Sequence, residues 1–424
     1  MVKDLKYSFI YKSFIFTTML VFLSEWIQES GMISFPLGFR HLMIISLVVV
    51  NWLWFGKKIV LQKNYRIAIN FLILFLIIAG FFSKSSFFNY LLGVFFTFLF
   101  VFVFVVTSNT KNSRNSIIKI FKYLLICFAI MSIISIFQSL SSGSSLREYT
   151  GLFRELGAFG AVMNFCTMIS LSLYIITSKK IYFYLSIFFS VGVALTILKK
   201  TIISNVLVWL FYFFYRADSK IKIKLFIVFL TIFLAGFFLI GDKLSKDIEE
   251  NTNYLNDVGS KEHVRIGMFL ASKQIALDYF PFGSGLGTFG SLASISGGYS
   301  QVHFDYGVAY IGTNSPEDVA NGKHTLLDTY WPHIFAELGF VGTFLFLVIW
   351  LFPLKKAFFN IKTTNEPFVK GISFYIIMSV ITTTWEGFTL YTPEIPSFVL
   401  LHSGLVGLCY YHFNFQKNVY RNSL

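Results

Sequence analysis

Two sets of ionisable side chains stand where an otherwise apolar chain has little use for charge. The first is cationic. It comprises Arg147 and Arg154 in Arg147-Glu-Tyr-Thr-Gly-Leu-Phe-Arg-Glu-Leu-Gly157, the pair Lys199-Lys200, and Arg265. Guanidinium forks take phosphate oxygens in pairs, and an ammonium adds a compact point charge. Gathered in one place, such groups suit a phosphate or diphosphate. The second set can move protons. It comprises Glu155 beside Arg154, His324, and three residues of Asp328-Thr-Tyr-Trp-Pro-His-Ile-Phe-Ala-Glu-Leu-Gly-Phe-Val-Gly342: Asp328, His333 and Glu337. A carboxylate beside an anion site can orient a hydroxyl or take its proton.

Each residue also has a plainer explanation. Long cationic side chains snorkel at a membrane boundary. The 147–157 stretch reads equally as a solvated, salt-bridged loop, and His333 as an interfacial histidine bonded to a backbone carbonyl. Asp328 and Glu337 lean further towards function, because ionisable groups at membrane depth are costly and usually have partners or a task.

The elements that must position these residues follow from the hydropathy. Apolar runs at about 8–23, 41–55, 67–82, 87–106, 117–139, 158–177, 181–198, 201–215, 223–241, 331–352, 370–385 and 396–413 predict some twelve membrane helices. They divide the chain into helices one to nine (1–241), a large polar loop (242–330) and helices ten to twelve (331–424). Inside the loop, Val264, Met268, Ala271 and Ile275 recur at helical spacing. They predict an amphipathic surface helix with Ser260 as N-cap, Glu262 in its first turn and Arg265 near its head. A helix N-terminus beside an arginine favours an anion, although a surface helix with an exposed arginine fits the stretch slightly better. Gly283-Ser-Gly-Leu-Gly-Thr-Phe-Gly290 follows a helix and has no βαβ context, so it predicts a connecting turn and not a dinucleotide loop. Asp328, Trp331 and Phe335 share one face of the next helix, with Glu337 two turns beyond Asp328.

Composition agrees with this layout. Charged residues make up 13% of the chain, against about 25% in an ordinary soluble protein. The class is an all-α polytopic integral membrane protein of about 12 transmembrane helices, with one large extracytoplasmic loop containing an amphipathic helix. The runs do not alternate, which disfavours a β-barrel. The net charge of +14 sits in short clusters between apolar runs, a topological pattern that argues against a nucleic-acid partner. Twenty-three of the 35 Lys and Arg fall on the N-terminal side of the membrane, six in short loops opposite and six in the large loop. That bias predicts cytoplasmic termini and an external loop. The first helix is expected to stay uncleaved, because Glu25-Trp-Ile-Gln-Glu29 lacks the small residues of a cleavage site. Cys127, Cys166 and Cys409 lie in apolar runs and offer no disulfide or metal pattern. His263, His324, His333 and Asp328 lack zinc spacing, so no metal is expected.

In architecture and motif order the chain resembles the bacterial O-antigen polymerase and O-antigen ligase superfamily of membrane glycosyltransferases. Arg147…Thr150-Gly-Leu-Phe-Arg-Glu155 resembles the family's arginine-bearing short external loop. Arg265 with Tyr279-Phe-Pro-Phe-Gly-Ser-Gly-Leu-Gly287 resembles its large-loop signature, and Asp328…Glu337-Leu-Gly-Phe-Val-Gly342 its exit into the membrane. Two positions depart. Leu198-Lys-Lys-Thr201 stands where the family often has serine and arginine, which transfers that role to Lys200. Asp328 stands where ligases typically carry a histidine, which favours a polymerase.

The resemblance implies transfer of a glycan from undecaprenyl diphosphate to a hydroxyl of a second lipid-linked repeat unit, without cofactor. Arg147, Arg265, Lys200 and Arg154 would bind diphosphate. Asp328, then Glu155, would be the base or acceptor-positioning group, with His324, His333 and Glu337 as secondary candidates. The setting implied is the bacterial cytoplasmic membrane, with a chain-length regulator and a flippase as pathway partners. A ligase, a lipid-linked oligosaccharide flippase and a non-catalytic assembly partner are the alternatives.

Overall fold

The computed structural model describes residues 2–29, 38–55, 60–141, 153, 156–196, 198–216, 264–296, 298–309, 317, 319, 321, 329–388 and 392–421. Among them the chain is mostly helical and contains no strand. The first eight helices are α1 (Val2–Glu29), α2 (Phe39–Phe55), α3 (Lys63–Phe82), α4 (Phe87–Asn109), α5 (Arg114–Ser141), α6 (Leu156–Thr177), α7 (Lys180–Leu195) and α8 (Lys199–Arg216). The loop region contributes α9 (Val264–Asp278) and two single turns, α10 (Leu292–Ser296) and α11 (Gln301–Asp305). Then come α12 (Tyr330–Trp350), α13 (Phe352–Thr363), α14 (Pro367–Glu386), α15 (Pro396–Val399) and α16 (Leu405–Arg421). A π-helical turn, Leu400–Gly404, joins the last two.

Six of the described helical stretches are long and apolar enough to cross a membrane: Lys63–Phe82, Phe87–Asn109, Arg114–Gln138, Leu156–Thr177, Tyr330–Thr363 and Pro367–Glu386. Phe39–Val50 and Lys180–Leu195 are apolar but shorter. The run expected at 223–241 lies outside the described residues. So do Ser260 and Glu262, the expected capping residues of the surface helix.

Helix ends follow local chemistry. Ser86 caps α4 by accepting from the Asn89 amide at 3.2 Å. Pro367 opens α14 at a position where the missing N–H costs nothing. Helix α6 is buried on every side from Ala158 to Leu173, as a helix apolar all round should be. Its small residues allow close approach: a Cβ on Gly160 would stand 2.9 Å from Thr201, and one on Gly371 of α14 would stand 2.8 Å from the Ser172 carbonyl. The outer helix α3 instead exposes Phe71, Ile77 and Phe81, a face suited to lipid.

The two ends of the bundle differ. One gathers the end of α1, the start of α2, the α3–α4 and α7–α8 turns, the loop elements, the start of α12 and the turn before α15. Hydrogen bonds tie these parts together: Lys84 N to Ser284 O at 2.8 Å, Tyr330 N to Gly387 O at 2.9 Å, and Trp385 Nε1 to Lys200 O at 3.3 Å. The opposite, basic end carries Arg114, Lys179, Arg216 and Lys356. The predicted apolar stripe of α9 is seen at Met268, Ala271 and Ile275, which are buried with Ala336 of α12.

Candidate functional site

The site is built on a break in α12. Gly339 interrupts the helix with φ 60° and ψ −166°, a conformation open to glycine. Interruption strips the carbonyls of Ala336 and Glu337 of helical partners. The amides of Ser284 and Gly285 replace them, each at 3.0 Å. The glycine-rich run is therefore more than the connecting turn expected from sequence: it is inserted against the break. A Cβ on Gly283 would stand 2.4 Å from the Gly339 nitrogen, and one on Gly287 would stand 2.4 Å from the Asn89 carbonyl. Glycine supplies both the positive φ and the room.

Beneath this run lies a buried charged cluster. Glu337 Oε1 accepts from the Phe289 amide and from Ser291 Oγ, both at 2.8 Å. Its Oε2 lies 3.5 Å from His333 Nδ1. On the other side of the ring, His333 Nε2 lies 3.3 Å from Glu394 Oε1. Glu394 also accepts from the Leu292 amide at 3.1 Å and from Thr97 Oγ1 at 3.2 Å. The side chains of His333, Glu337 and Glu394 are fully buried, and Tyr330 meets the imidazole edge-on at 4.8 Å. The expectation that His333 bonds to a backbone carbonyl is corrected: it stands between two carboxylates. At Glu394, on the turn before α15, burial pushes the carboxyl above its usual range while the His333 charge pulls it down.

A second polar cluster lies at the same end. Glu386 Oε1 accepts from Asn164 Nδ2 at 3.2 Å, and Asn164 Oδ1 accepts from Asn205 at 2.9 Å. The half-buried Lys200 acts electrostatically on Glu386. The two clusters adjoin, because Gly387, next after Glu386, binds the amide of Tyr330 at the head of α12.

Arg265 is exposed at the second position of α9. One turn on, Phe269 stacks on Phe388 at 6.2 Å, and Phe388 in turn meets Trp385 at 6.4 Å. The Trp385 indole is the one bonded to the Lys200 carbonyl. Phe269, Ser272, Trp331, Pro332, Phe335 and Leu347 line an apolar groove of about 270 Å³ here. Trp331 and Phe335 thus share a face as expected. Arg265 lies one turn before the groove residue Phe269 on α9, and the backbone carbonyl of Lys200 accepts from Trp385, which meets the groove residue Phe388. Arg147, Arg154, Glu155, His324 and Asp328 lie outside the described residues.

Sequence reasoning passed over Glu25, Glu386 and Glu394, all buried. The signal was available for Glu394, a lone carboxylate in Thr392-Pro-Glu-Ile-Pro396 at the entry to an apolar run, by the same logic that picked out Glu337. Among the described residues no group of three or more His, Cys, Asp or Glu could hold a metal ion.

Fold and site together define a mostly helical protein with helices suited to a membrane and a polar interior at one end. No protein-family model matches the chain, and no curated protein matches it in sequence.

Proposed function

We propose that the protein is a membrane glycosyltransferase that polymerises surface-polysaccharide repeat units, passing a glycan from undecaprenyl diphosphate to a hydroxyl of another lipid-linked unit. The observation that supports this proposal is the apolar groove of Phe269, Trp331, Phe335 and Phe388, with Arg265 one turn away on α9 and the Lys200 backbone linked to it through Trp385. A long isoprenoid chain attached to a diphosphate calls for an apolar channel with cations in its neighbourhood. The acceptor hydroxyl attacks the anomeric carbon, the bond to the diphosphate breaks, and the hydroxyl proton passes to a carboxylate. Charge grows on the departing diphosphate, where preorganised cations lower the barrier most. Arg147 and Arg154 would add to the cationic set, Asp328 would act as base or acceptor guide, and Glu155 would be second to it. The charge bias along the sequence supports a site at the outer face with both termini inside, and the bacterial cytoplasmic membrane is the setting this proposal gives it. A ligase would differ only in its acceptor.

One observation favours a second class. Discontinuous helices are common in transporters, and α12 is broken. Here the break is filled by the chain's own glycine run, which leaves less room for cargo. Arg265→Ala and Lys200→Ala separate the classes. Each is expected to lower polymer output about 10²–10³-fold, with single repeat units accumulating on externally exposed lipid and the protein still in the membrane. Unchanged long chains would remove both residues from the site. Repeat units trapped on the cytoplasmic side would identify a transporter.

A further inference from the structure

We infer that His333, Glu337 and Glu394 form an ion-paired lock that holds the glycine-rich run in the break of α12 and so fixes the station of α9. The further statement that this positions Arg265 for the diphosphate rests on the function proposed above.

The geometry is specific. Both ring nitrogens of His333 face carboxylate oxygens, at 3.5 and 3.3 Å. With both carboxylates ionised, the ring between them is held as a cation by charge, at ion-pair distances and without hydrogen-bond alignment at either nitrogen. Each carboxylate also grips the run. Glu337 holds the Phe289 amide and Ser291 Oγ, and Glu394 holds the Leu292 amide. One cation therefore joins α12, the turn before α15 and residues 289–292. Without the cation, two carboxylates would face each other in an apolar interior, where the penalty for an unpaired charge is large.

Other titratable groups touch the edges of the cluster and do not replace the cation. Tyr330 presents its ring edge to His333, His41 Nε2 meets the Glu394 backbone carbonyl at 3.2 Å, and His303 Nε2 accepts from the Gly290 amide at 3.3 Å. Tyr90 feels Glu337 electrostatically. The run leads directly back to α9, because the Gly283 amide bonds to the Tyr279 carbonyl and the Tyr279 amide to the Ile275 carbonyl. Movement of the run is thus passed to the helix that carries Arg265.

The test is residue-resolved amide exchange on the full chain in lipid nanodiscs. His333→Gln should speed exchange of the Phe289 amide about tenfold or more, as expected of a local opening. The double variant His333→Gln/Glu394→Gln restores the charge count and should return Phe289 to within about threefold of the parent. Exchange at the parental rate in His333→Gln would overturn the lock. So would a double variant as fast as the single one, which would show that ring shape matters and charge does not. If His333→Gln fails to accumulate, the double variant should still be recovered folded, and its loss as well would overturn the lock. Repeat-unit transfer is measured alongside. Expected exchange with unaltered transfer would leave the lock standing and remove only the role given to Arg265.

Discussion

The two ends of the bundle handle charge in opposite ways. At the basic end, cations lie on aromatic faces or pair at the surface. Arg216 stands 5.1 Å over Tyr174, Lys356 stands 5.5 Å over Tyr410, and Arg114 pairs with Glu366 while remaining half exposed. At the other end, Glu25, Glu337, Glu386 and Glu394 are each no more than 3% exposed. The basic end obeys a rule of topology that tolerates almost any cation in roughly the right place. The other end obeys a rule of packing, under which each buried carboxylate needs particular donors at particular distances.

That contrast can be attacked by substitution. The largest effect is expected from Gly283→Ala, which adds a Cβ 2.4 Å from the Gly339 nitrogen at φ +74°. Left-handed strain and overpacking together should cost about 4 kcal/mol, seen as a collapse of the thermal midpoint in detergent. Gly307→Ala is the control. Its φ is +68° but nothing lies within 4 Å, so about 1 kcal/mol is expected. If the two variants unfold alike, the inserted run is not close-packed.

A middle-sized effect is expected at Glu25. Its carboxylate accepts from the Ser397 amide at 3.3 Å and from Ser397 Oγ at 2.8 Å. Glu25→Leu leaves both donors buried without an acceptor, at a cost of about 2 kcal/mol. A stability change under 0.5 kcal/mol would mean that water reaches this end freely. The smallest effect is expected at the basic end. Arg114→Ala removes a surface pair, so its effect should stay within about 1 kcal/mol in the same unfolding measurement. A larger loss would erase the distinction between the ends.

How far the sequence reached divides along the same line. Apolar runs gave helix positions directly, because length and hydropathy decide them one helix at a time. The stripe at Met268, Ala271 and Ile275 was legible for the same reason. Glu337 stood out as a charge at depth and His333 as an interfacial histidine, but Glu394, the second carboxylate beside the His333 ring, is 57 residues beyond Glu337, and no local pattern links such positions. The glycine run was visible as glycines. Its insertion was not, because that depends on a helix break created by one dihedral at Gly339. Lys200 and Arg265 could be named from their types, whereas the aromatic series of Phe269, Phe388 and Trp385 that links α9 to the backbone of Lys200 exists only in three dimensions.

The break in α12 also bears on the order of assembly. Tyr330–Leu338 and Phe340–Trp350 are rods of roughly 14 and 16 Å at about 1.5 Å per residue. Neither alone reaches across about 30 Å of hydrocarbon. Two bare carbonyls at the joint would each cost several kcal/mol in lipid. The amides that seal them belong to residues 284 and 285, which leave the ribosome before α12 does. The two donors thus precede in the chain the carbonyls they satisfy, and the rods of α12 meet them only once residues 336 and 337 have been made.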